Sequence, residues 1–384
     1  MPDAPDRPTI VMKFGGTSVA DASRLRQAAR RIVERAEEGN RVVAVLSARG
    51  QTTDELIRHA EEVSPNPHPR ELDMLLSTGE RQSCALCAMA INDLGHRALS
   101  LTGSQAGIVT DTSHTRARIL QVRAERINEA LDGGWIVLVA GFQGVSTARD
   151  VTTLGRGGSD TTAVALADAV EAEVCEIYTD VAGVFSADPR VVADARKLAV
   201  VSFEEMLEMA ASGARVLQLR AVEYGRTHGV RIHVRSSFDG APGTLVVGEE
   251  ETMEQPLITA VTHSTGEARI TLLGLPDRPG IAGQVFTALA EANVNVDMII
   301  QNEPLSMAGA DGAGQRAELS FTVPRSDLDV ASRTLEPVIA AEGIGEVRTD
   351  VEMGKVSIVG AGMESHPGVA AKVFRTLGAE GINI

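Results

Sequence analysis

From Thr9 to Val234 short β-branched runs alternate with stretches of helical periodicity, and this alternation limits the fold more than any other feature of the chain. Thr9 to Met12, Arg41 to Leu46, Trp135 to Ala140, Val174 to Tyr178 and Val230 to Val234 read as strands. Ala22 to Glu38, Leu72 to Leu94, Ser159 to Val170 and Phe203 to Ala211 read as helices. Strands that alternate with helices are joined by right-handed crossovers, so the pattern predicts an α/β fold around a parallel sheet. Ligands of such sheets collect at the carboxyl ends of the strands.

Two glycine-rich turns sit at or near such ends: Lys13-Phe14-Gly15-Gly16-Thr17-Ser18 and Leu154-Gly155-Arg156-Gly157-Gly158-Ser159-Asp160. Glycines let the main chain approach an anion and aim N–H groups at it. Lys13 and Arg156 add positive charge that a net charge of -16 makes scarce elsewhere. The first turn follows a strand and precedes a helix, the setting in which a helix N-terminus binds phosphate. It lacks the Gly-Lys-Ser or Gly-Lys-Thr that closes a P-loop, and an ordinary turn with a solvated lysine fits it equally. In the second, Ser159 or Asp160 could simply cap the following apolar helix, whereas Arg156 could make a forked contact with a carboxylate or phosphate. A third constellation, Thr179 to Arg190, follows the strand ending at Tyr178 and has the composition of a plain loop as much as of a ligand loop. An enzyme that handles phosphate is the first expectation.

At 384 residues and 43% hydrophobic content the chain has room for about two or three globular domains. The acidic balance disfavours nucleic acid and anionic membrane surfaces, which reward spread-out Lys and Arg. No apolar run reaches the length of a membrane span, and Met1 to Pro8 is short and polar, so a cytoplasmic protein is expected. Three cysteines suit a reducing compartment, and the Cys84-x-x-Cys87 pair reads as part of a buried helix, so no metal site is expected.

The segment Phe238 to Thr244 is turn-rich and Glu249-Glu250-Glu251 opens a polar linker, which puts a domain boundary near Glu250. Beyond it the sequence repeats: Pro279-Gly280 returns as Pro367-Gly368, Val285-Phe286 as Val373-Phe374, Leu289 as Leu377 and Asn295 as Asn383. Glycine turn, helix and strand at this spacing mean two small α+β modules. The first runs on through a strand to Gln301, a strand at Leu319 to Val323 and a helix from Ser326 to Ala341. The second stops at Ile384, one residue past its aligned asparagine, so the expectation is a C-terminally truncated second module.

The ordered set Lys13 to Ser18, Ser47-Ala48, Thr52-Thr53-Asp54, Thr78-Gly79-Glu80, Gly141-Phe142-Gln143-Gly144, Thr153 to Thr162 and Ala187-Asp188-Pro189-Arg190 resembles the aspartate kinase family. The likeness spans residues 9 to 384 and is nearest to bacterial types whose regulatory half holds two ACT modules. It implies an amino-acid-kinase-type sheet sandwiched by helices, then two βαββαβ ACT modules, the second incomplete. Residues 1–248 would be the catalytic domain, 249–266 a linker and a strand pairing with the second ACT module, 267–350 the first module, and 351–384 the start of the second.

The activity implied is ATP- and Mg²⁺-dependent phosphorylation of the side-chain carboxylate of L-aspartate, the committed step towards lysine, threonine and methionine. By resemblance, Lys13 neutralises the transferring phosphoryl group, with Phe14, Gly15 and Gly16 in the same turn. Ser47 and Thr53 line the substrate pocket, Glu80 accepts the ammonium, Arg156 holds a substrate carboxylate and Ser159 helps seat it. Asp160 orients Lys13 rather than acting as a base, because a carboxylate nucleophile carries no proton at neutral pH. Thr179, Asp180, Asp188, Pro189 and Arg190 contact the nucleotide. Arg215 stands where the family usually has a lysine serving the phosphates, a change that keeps charge but not geometry. Arg49 stands where methionine is common.

In the first ACT module Asp277, Asn295, Asp297 and Gln301 offer the groups that an amino acid's ammonium and side chain need, although surface polars around a βα turn would look the same. The resemblance implies threonine bound there and lysine as co-inhibitor, with ACT modules mediating homo-oligomers or assembly with a separate regulatory subunit. Met253 sits where some relatives initiate such a subunit. Two other readings fit parts of the pattern: a catalytically silent ACT-based amino-acid sensor, and a kinase for another acidic amino acid or a nucleoside monophosphate.

Overall fold

The computed structural model describes residues 7–251, 258–302, 316–360 and 368–383. Met253 lies outside the described residues. The chain divides into two units, one of Met1–Val261 with Ile358–Ile384 and one of Thr262–Ser357.

The first unit opens with β1 (Thr9–Phe14), α1 (Ala22–Glu37), β2 (Arg41–Leu46), α2 (Thr52–Val63), α3 (Pro69–Leu76) and α4 (Thr78–Asp93). There follow β3 (Ala98–Leu101), β4 (Ile108–Thr110), β5 (Ile119–Val122), α5 (Glu125–Asp132), β6 (Ile136–Ala140), β7 (Gln143–Ser146) and β8 (Val151–Thr153). Then come α6 (Gly158–Ala169), β9 (Val174–Thr179), β10 (Val200–Ser202), α7 (Phe203–Ala211), α8 (Leu219–His228), β11 (Ile232–Ser236) and β12 (Thr244–Val247).

Eight strands form one sheet in the order β10-β12-β11-β9-β1-β2-β6-β3, and only the β11–β12 pair is antiparallel. Strand alternation sends Ile10, Met12 and Phe14 to one face with Val42, Ala44 and Leu46, where α1 and α4 supply Leu25, Ile32, Cys87 and Ile91. Val11, Val43 and Val45 point the other way, onto Ile127, Val164 and Leu166 of α5 and α6. Burial on both faces is why these strands are nearly continuous apolar runs. The helical tract expected over Leu72 to Leu94 is two helices meeting at Ser77, whose N–H still bonds to Asp73 O at 3.0 Å. Cys84 and Cys87 are buried in α4, and burial pushes the Cys87 thiol up to about 12. They belong to the core.

A second sheet, β5-β4-β7-β8, was not legible as strands, because its members are three or four residues long and carry Thr, Gln and Gly. It delivers Thr152 and Thr153 to the start of the second glycine turn.

Next in the chain is β13 (Ala260–Ser264), then in the second unit β14 (Glu267–Pro276), α9 (Ile281–Glu291), β15 (Asp297–Asn302), β16 (Arg316–Pro324), α10 (Leu328–Glu342) and β17 (Glu346–Asp350), a βαββαβ order. The sheet runs β15-β16-β14-β17, antiparallel throughout, over a core of Ile270, Leu272, Val285, Leu289, Phe321 and Leu335. After it come β18 (Lys355–Val359), which pairs with β13, and α11 (Val369–Ala379). The sequence repeat has a backbone counterpart: Gly280 and Gly368 both N-cap their helices in the left-handed region, at φ +93° and +107°. Among the described residues no helix is long and apolar enough to cross a membrane.

Candidate active site

The parallel order β9-β1-β2-β6 brings four strand ends together, and each ends in a segment singled out by sequence: Thr179, Lys13-Phe14-Gly15-Gly16, Ser47-Ala48 and Gly141-Phe142. Backbone bonds join these ends. Gly15 N–H reaches Tyr178 O at 3.4 Å, Ser47 N–H reaches Phe14 O at 3.1 Å, and Gly141 N–H reaches Leu46 O at 3.1 Å. Beneath Lys13 the Phe14 and Tyr178 rings stack at 4.7 Å between centroids. The Tyr178 hydroxyl donates to the buried Glu176 at 2.9 Å, which also accepts from Arg35 and Arg235. The turn is therefore mounted on a packed and hydrogen-bonded base. Gly16 has no room for a side chain, since a Cβ there would lie 2.8 Å from Ala48 O.

Lys13 Nζ lies 2.5 Å from Asp160 Oδ1, both side chains about nine-tenths buried. Asp160 is in the first turn of α6, whose N-cap is Gly157 at φ +72°; neither Ser159 nor Asp160 caps the helix. A Cβ on Gly157 would fall 1.9 Å from Gln218 Cγ, so the segment that carries Arg215 packs directly on this turn. Arg156 and Arg215 are exposed and hold no ion pair with another described residue. Both are free to meet an anion. Ser159 is buried, with Oγ 2.7 Å from where a Cβ of Gly141 would stand, so the Arg156 turn and the β6 end touch. The neighbouring Phe142 is a non-glycine residue at φ +67°; its N–H bonds to Thr162 Oγ1 at 3.2 Å and its carbonyl accepts from Leu154 N–H at 2.9 Å.

Glu80, in the first turn of α4, is 3% exposed. Its Oε1 accepts from Ala48 N–H at 3.2 Å, while Oε2 is buried without a hydrogen-bond partner among the described residues. Burial pushes the carboxyl up to about 7, against smaller opposing effects of backbone N–H donors and Arg81. A Cβ on Gly79 would lie 2.8 Å from Ala48 Cβ and 3.5 Å from Thr52 Cγ2, so the starts of α2 and α4 converge on the loop after β2. Ser47 and Thr53 are half-buried there. Arg49 turns back to the carbonyls of Val19 and Ala20, each at 3.4 Å.

In the third constellation Thr179 Oγ1 donates to Asp180 at 3.0 Å, and Arg190 forks onto Asp188 at 3.0 and 2.8 Å. Pro189 and Arg190 are exposed.

Residues 8–236 match the amino acid kinase family, and residues 270–337 and 356–384 match the ACT domain. The aspartokinase of Mycolicibacterium smegmatis is 55% identical over 98% of this chain and 88% of the relative. The chain belongs to the aspartokinases. Among solved structures, Escherichia coli aspartokinase III in complex with aspartate and ADP superposes with a TM-score of 0.80 at 26% identity, covering 96% of this chain and 91% of that one. The same protein with lysine and aspartate gives 0.74 at 26% identity, covering 98% and 92%.

In the ACT module of this aspartokinase Asp277, Asn295, Asp297 and Gln301 are all exposed. Asp297 is not idle: Lys355 Nζ sits 2.6 Å from its Oδ2 and 2.9 Å from Glu267. The Lys355 hydrogen bond holds the Asp297 carboxyl below its ordinary value.

Sequence reasoning missed Asp73, His114 and Arg220. Asp73 is fully buried in α3 and accepts from Thr153 Oγ1 at 2.5 Å and Thr115 N–H at 3.1 Å, with His114 Nδ1 at 2.7 Å. Arg220 clamps Leu154 O at 2.7 Å and Ala117 O at 3.0 Å. The one available signal was an acid inside the otherwise apolar Leu72-Asp73-Met74-Leu75-Leu76.

Proposed function

We propose that the enzyme transfers the γ-phosphoryl group of ATP to the side-chain carboxylate of L-aspartate, giving β-aspartyl phosphate, the first step towards lysine, threonine and methionine. The observation that carries the reading is Glu80, a buried carboxylate with one unpaired oxygen beside a lysine-bearing glycine turn. Such a group calls for a cation, and the ammonium of an amino acid supplies one. The aspartate and ADP bound by the E. coli relative support the same substrate pair.

Phosphoryl transfer needs positioning and charge neutralisation rather than covalent help from the protein. Lys13 meets the charge on the transferring group, held in place by Asp160, while the main chain of Phe14, Gly15 and Gly16 comes close to it. Arg156 binds the α-carboxylate of aspartate, with Ser159 behind it and Ser47 and Thr53 along the pocket. Thr179, Asp180, Asp188, Pro189, Arg190 and Arg215 hold the nucleotide. Mg²⁺ enters as part of the MgATP substrate, bound through phosphates and water as that ion prefers.

The ACT modules bind the end products, threonine near Asp277, Asn295, Asp297 and Gln301, and lysine as a second effector. Lysine bound by the E. coli relative supports the second of these. An effector ammonium at Asp297 competes with Lys355 for that carboxylate. Pairing of ACT modules gives a homo-oligomer or an assembly with a separate regulatory subunit, and the setting is the cytoplasm.

The test is a coupled ATP-consumption assay across L-aspartate, L-glutamate and N-acetylglutamate, with Lys13→Ala as control and hydroxylamine trapping of the acyl phosphate. Turnover of aspartate alone is expected. Activity on N-acetylglutamate, which has no free ammonium, overturns the reading.

A further inference from the structure

Asp73 lies outside the set of groups that face the substrates, yet it is a fully buried carboxylate with three donors. Burying a carboxylate is costly unless it is fully hydrogen-bonded, so the three donors that satisfy Asp73 are held firmly to it. On one side it holds Thr153, the last residue of β8, three positions before Arg156. It also anchors the bend at His114 and Thr115, and the carbonyl of Thr115 would stand 3.1 Å from a Cβ on Gly155 in the glycine turn. On the other side, its helix runs through the single residue Ser77 into α4, which carries Glu80. That junction is held independently, because Gln143 Nε2 donates to Ser77 O at 2.8 Å.

We propose that Asp73 is a positioning residue that fixes the spacing between the ammonium side of the amino-acid site, at Glu80, and its carboxylate side, at the Arg156 turn. The inference rests on the aspartate reading above. A substrate held at both ends is sensitive to the distance between its anchors, and misplacement by about 1 Å can cost on the order of a hundredfold. Asp73 bonds to His114, Thr115 and Thr153, which all lead to the carboxylate side of the amino-acid site. The aspartate side is therefore expected to move more than the nucleotide side, which Asp73 reaches only at second hand, through the packing of Gln218 near Arg215 on the glycine turn.

Steady-state kinetics on the full chain test this with Asp73→Asn and with the milder pair Thr153→Val and Thr153→Ser. Asp73→Asn and Thr153→Val each raise the KM for aspartate by about tenfold or more and leave the KM for ATP within about twofold, while Thr153→Ser, which keeps the hydroxyl, restores it. Equal movement of both KM values, or an unchanged aspartate KM in folded Thr153→Val, overturns the positioning role. If Asp73→Asn does not fold, the Thr153 pair decides alone. A wild-type enzyme without aspartate-dependent turnover instead sinks the functional reading and this inference with it.

Discussion

The ammonium of Lys13 and the carboxylate of Asp160 meet at 2.5 Å although β1 and α6 are far apart in the sequence, with seven strands and five α-helices between them. Pairing fixes a flexible side chain whose charge must be in place before the phosphoryl group moves. Lys13→Ala is expected to lower kcat by about 10²- to 10³-fold, the scale of a lost electrostatic stabiliser. Asp160→Asn keeps the charge of Lys13 but loosens it, so a smaller loss is expected, in kcat rather than in the KM for aspartate. Rapid-quench measurement of the chemical step checks both.

Glu80 makes the rate depend on pH. Its carboxyl titrates near 7 in the free protein, and only the ionised form attracts an ammonium. The kcat/KM for aspartate is therefore expected to fall about tenfold per pH unit below 7 and to level off above it. Glu80→Gln removes this limb and raises the KM by about 10- to 100-fold, the value of a hydrogen bond to a charged group. A profile with no inflection between pH 6 and 8 in the wild type contradicts the assignment.

The same group sets a stability trade. Folding raises the Glu80 carboxyl from 4.5 to about 7, so between those values the folded chain binds more protons than the unfolded one and stability falls as pH rises through the window. Above pH 7 the ionised form costs roughly 3 kcal/mol before a substrate ammonium arrives. Glu80→Gln is expected to melt higher than wild type at pH 8, with the advantage gone at pH 4. Calorimetry at the two pH values measures it.

Much of this is legible in the amino-acid sequence. Parallel strands buried on both faces are long apolar runs, and helices that pack on them have a strong period, so β1, α1, β2 and α6 stand out. The small sheet β5-β4-β7-β8 does not, because it is built from three- and four-residue strands too short to show a period and rich in Thr, Gln and Gly. Lys13, Glu80 and Asp160 were reachable through local motifs and a family resemblance. Asp73, His114 and Arg220 were not, since their meaning comes from contacts across 41 to 103 residues. The Lys355–Asp297 pair, 58 residues apart, was hidden for the same reason.

Gly16→Ala tests the first turn by space alone. A Cβ would stand 2.8 Å from Ala48 O, a backbone atom held between the Glu80-bound N–H and the Gly50 turn, so the main chain has to move. Overpacking of this kind costs about 1–3 kcal/mol. The Lys13 and Glu80 sides of the site meet at this contact, so kcat and the aspartate KM are both expected to worsen. Gly15→Ala is the matched control: its Cβ would find nothing nearer than Lys13 Nζ at 3.5 Å. The comparison is read in melting temperature, because the Gly15 main chain also borders the phosphoryl group, and an equal loss of stability from the two substitutions contradicts the steric account.

Thr259 extends the same logic to the nucleotide side. Its hydroxyl donates to Glu205 Oε1, and the other oxygen of that carboxylate accepts from the N–H and hydroxyl of Ser202, each at 3.1 Å, to cap α7. The strand Thr259 opens is tied twice more, through Thr259 N–H to Val359 O and Val261 N–H to Ser186 O, both at 2.8 Å. Ser186 lies two residues before Asp188. Thr259→Val keeps the shape but leaves a buried carboxylate oxygen unpaired, a loss of about 1–3 kcal/mol. The strand then holds the Ser186 backbone less firmly, and the KM for ATP is expected to rise by about threefold to tenfold with little change for aspartate, the reverse of the Asp73 signature. Thr259→Ser keeps the donor and is expected to behave as wild type. A Thr259→Val enzyme that melts lower yet binds ATP unchanged would separate the cap from the nucleotide loop and show that the strand only stabilises α7.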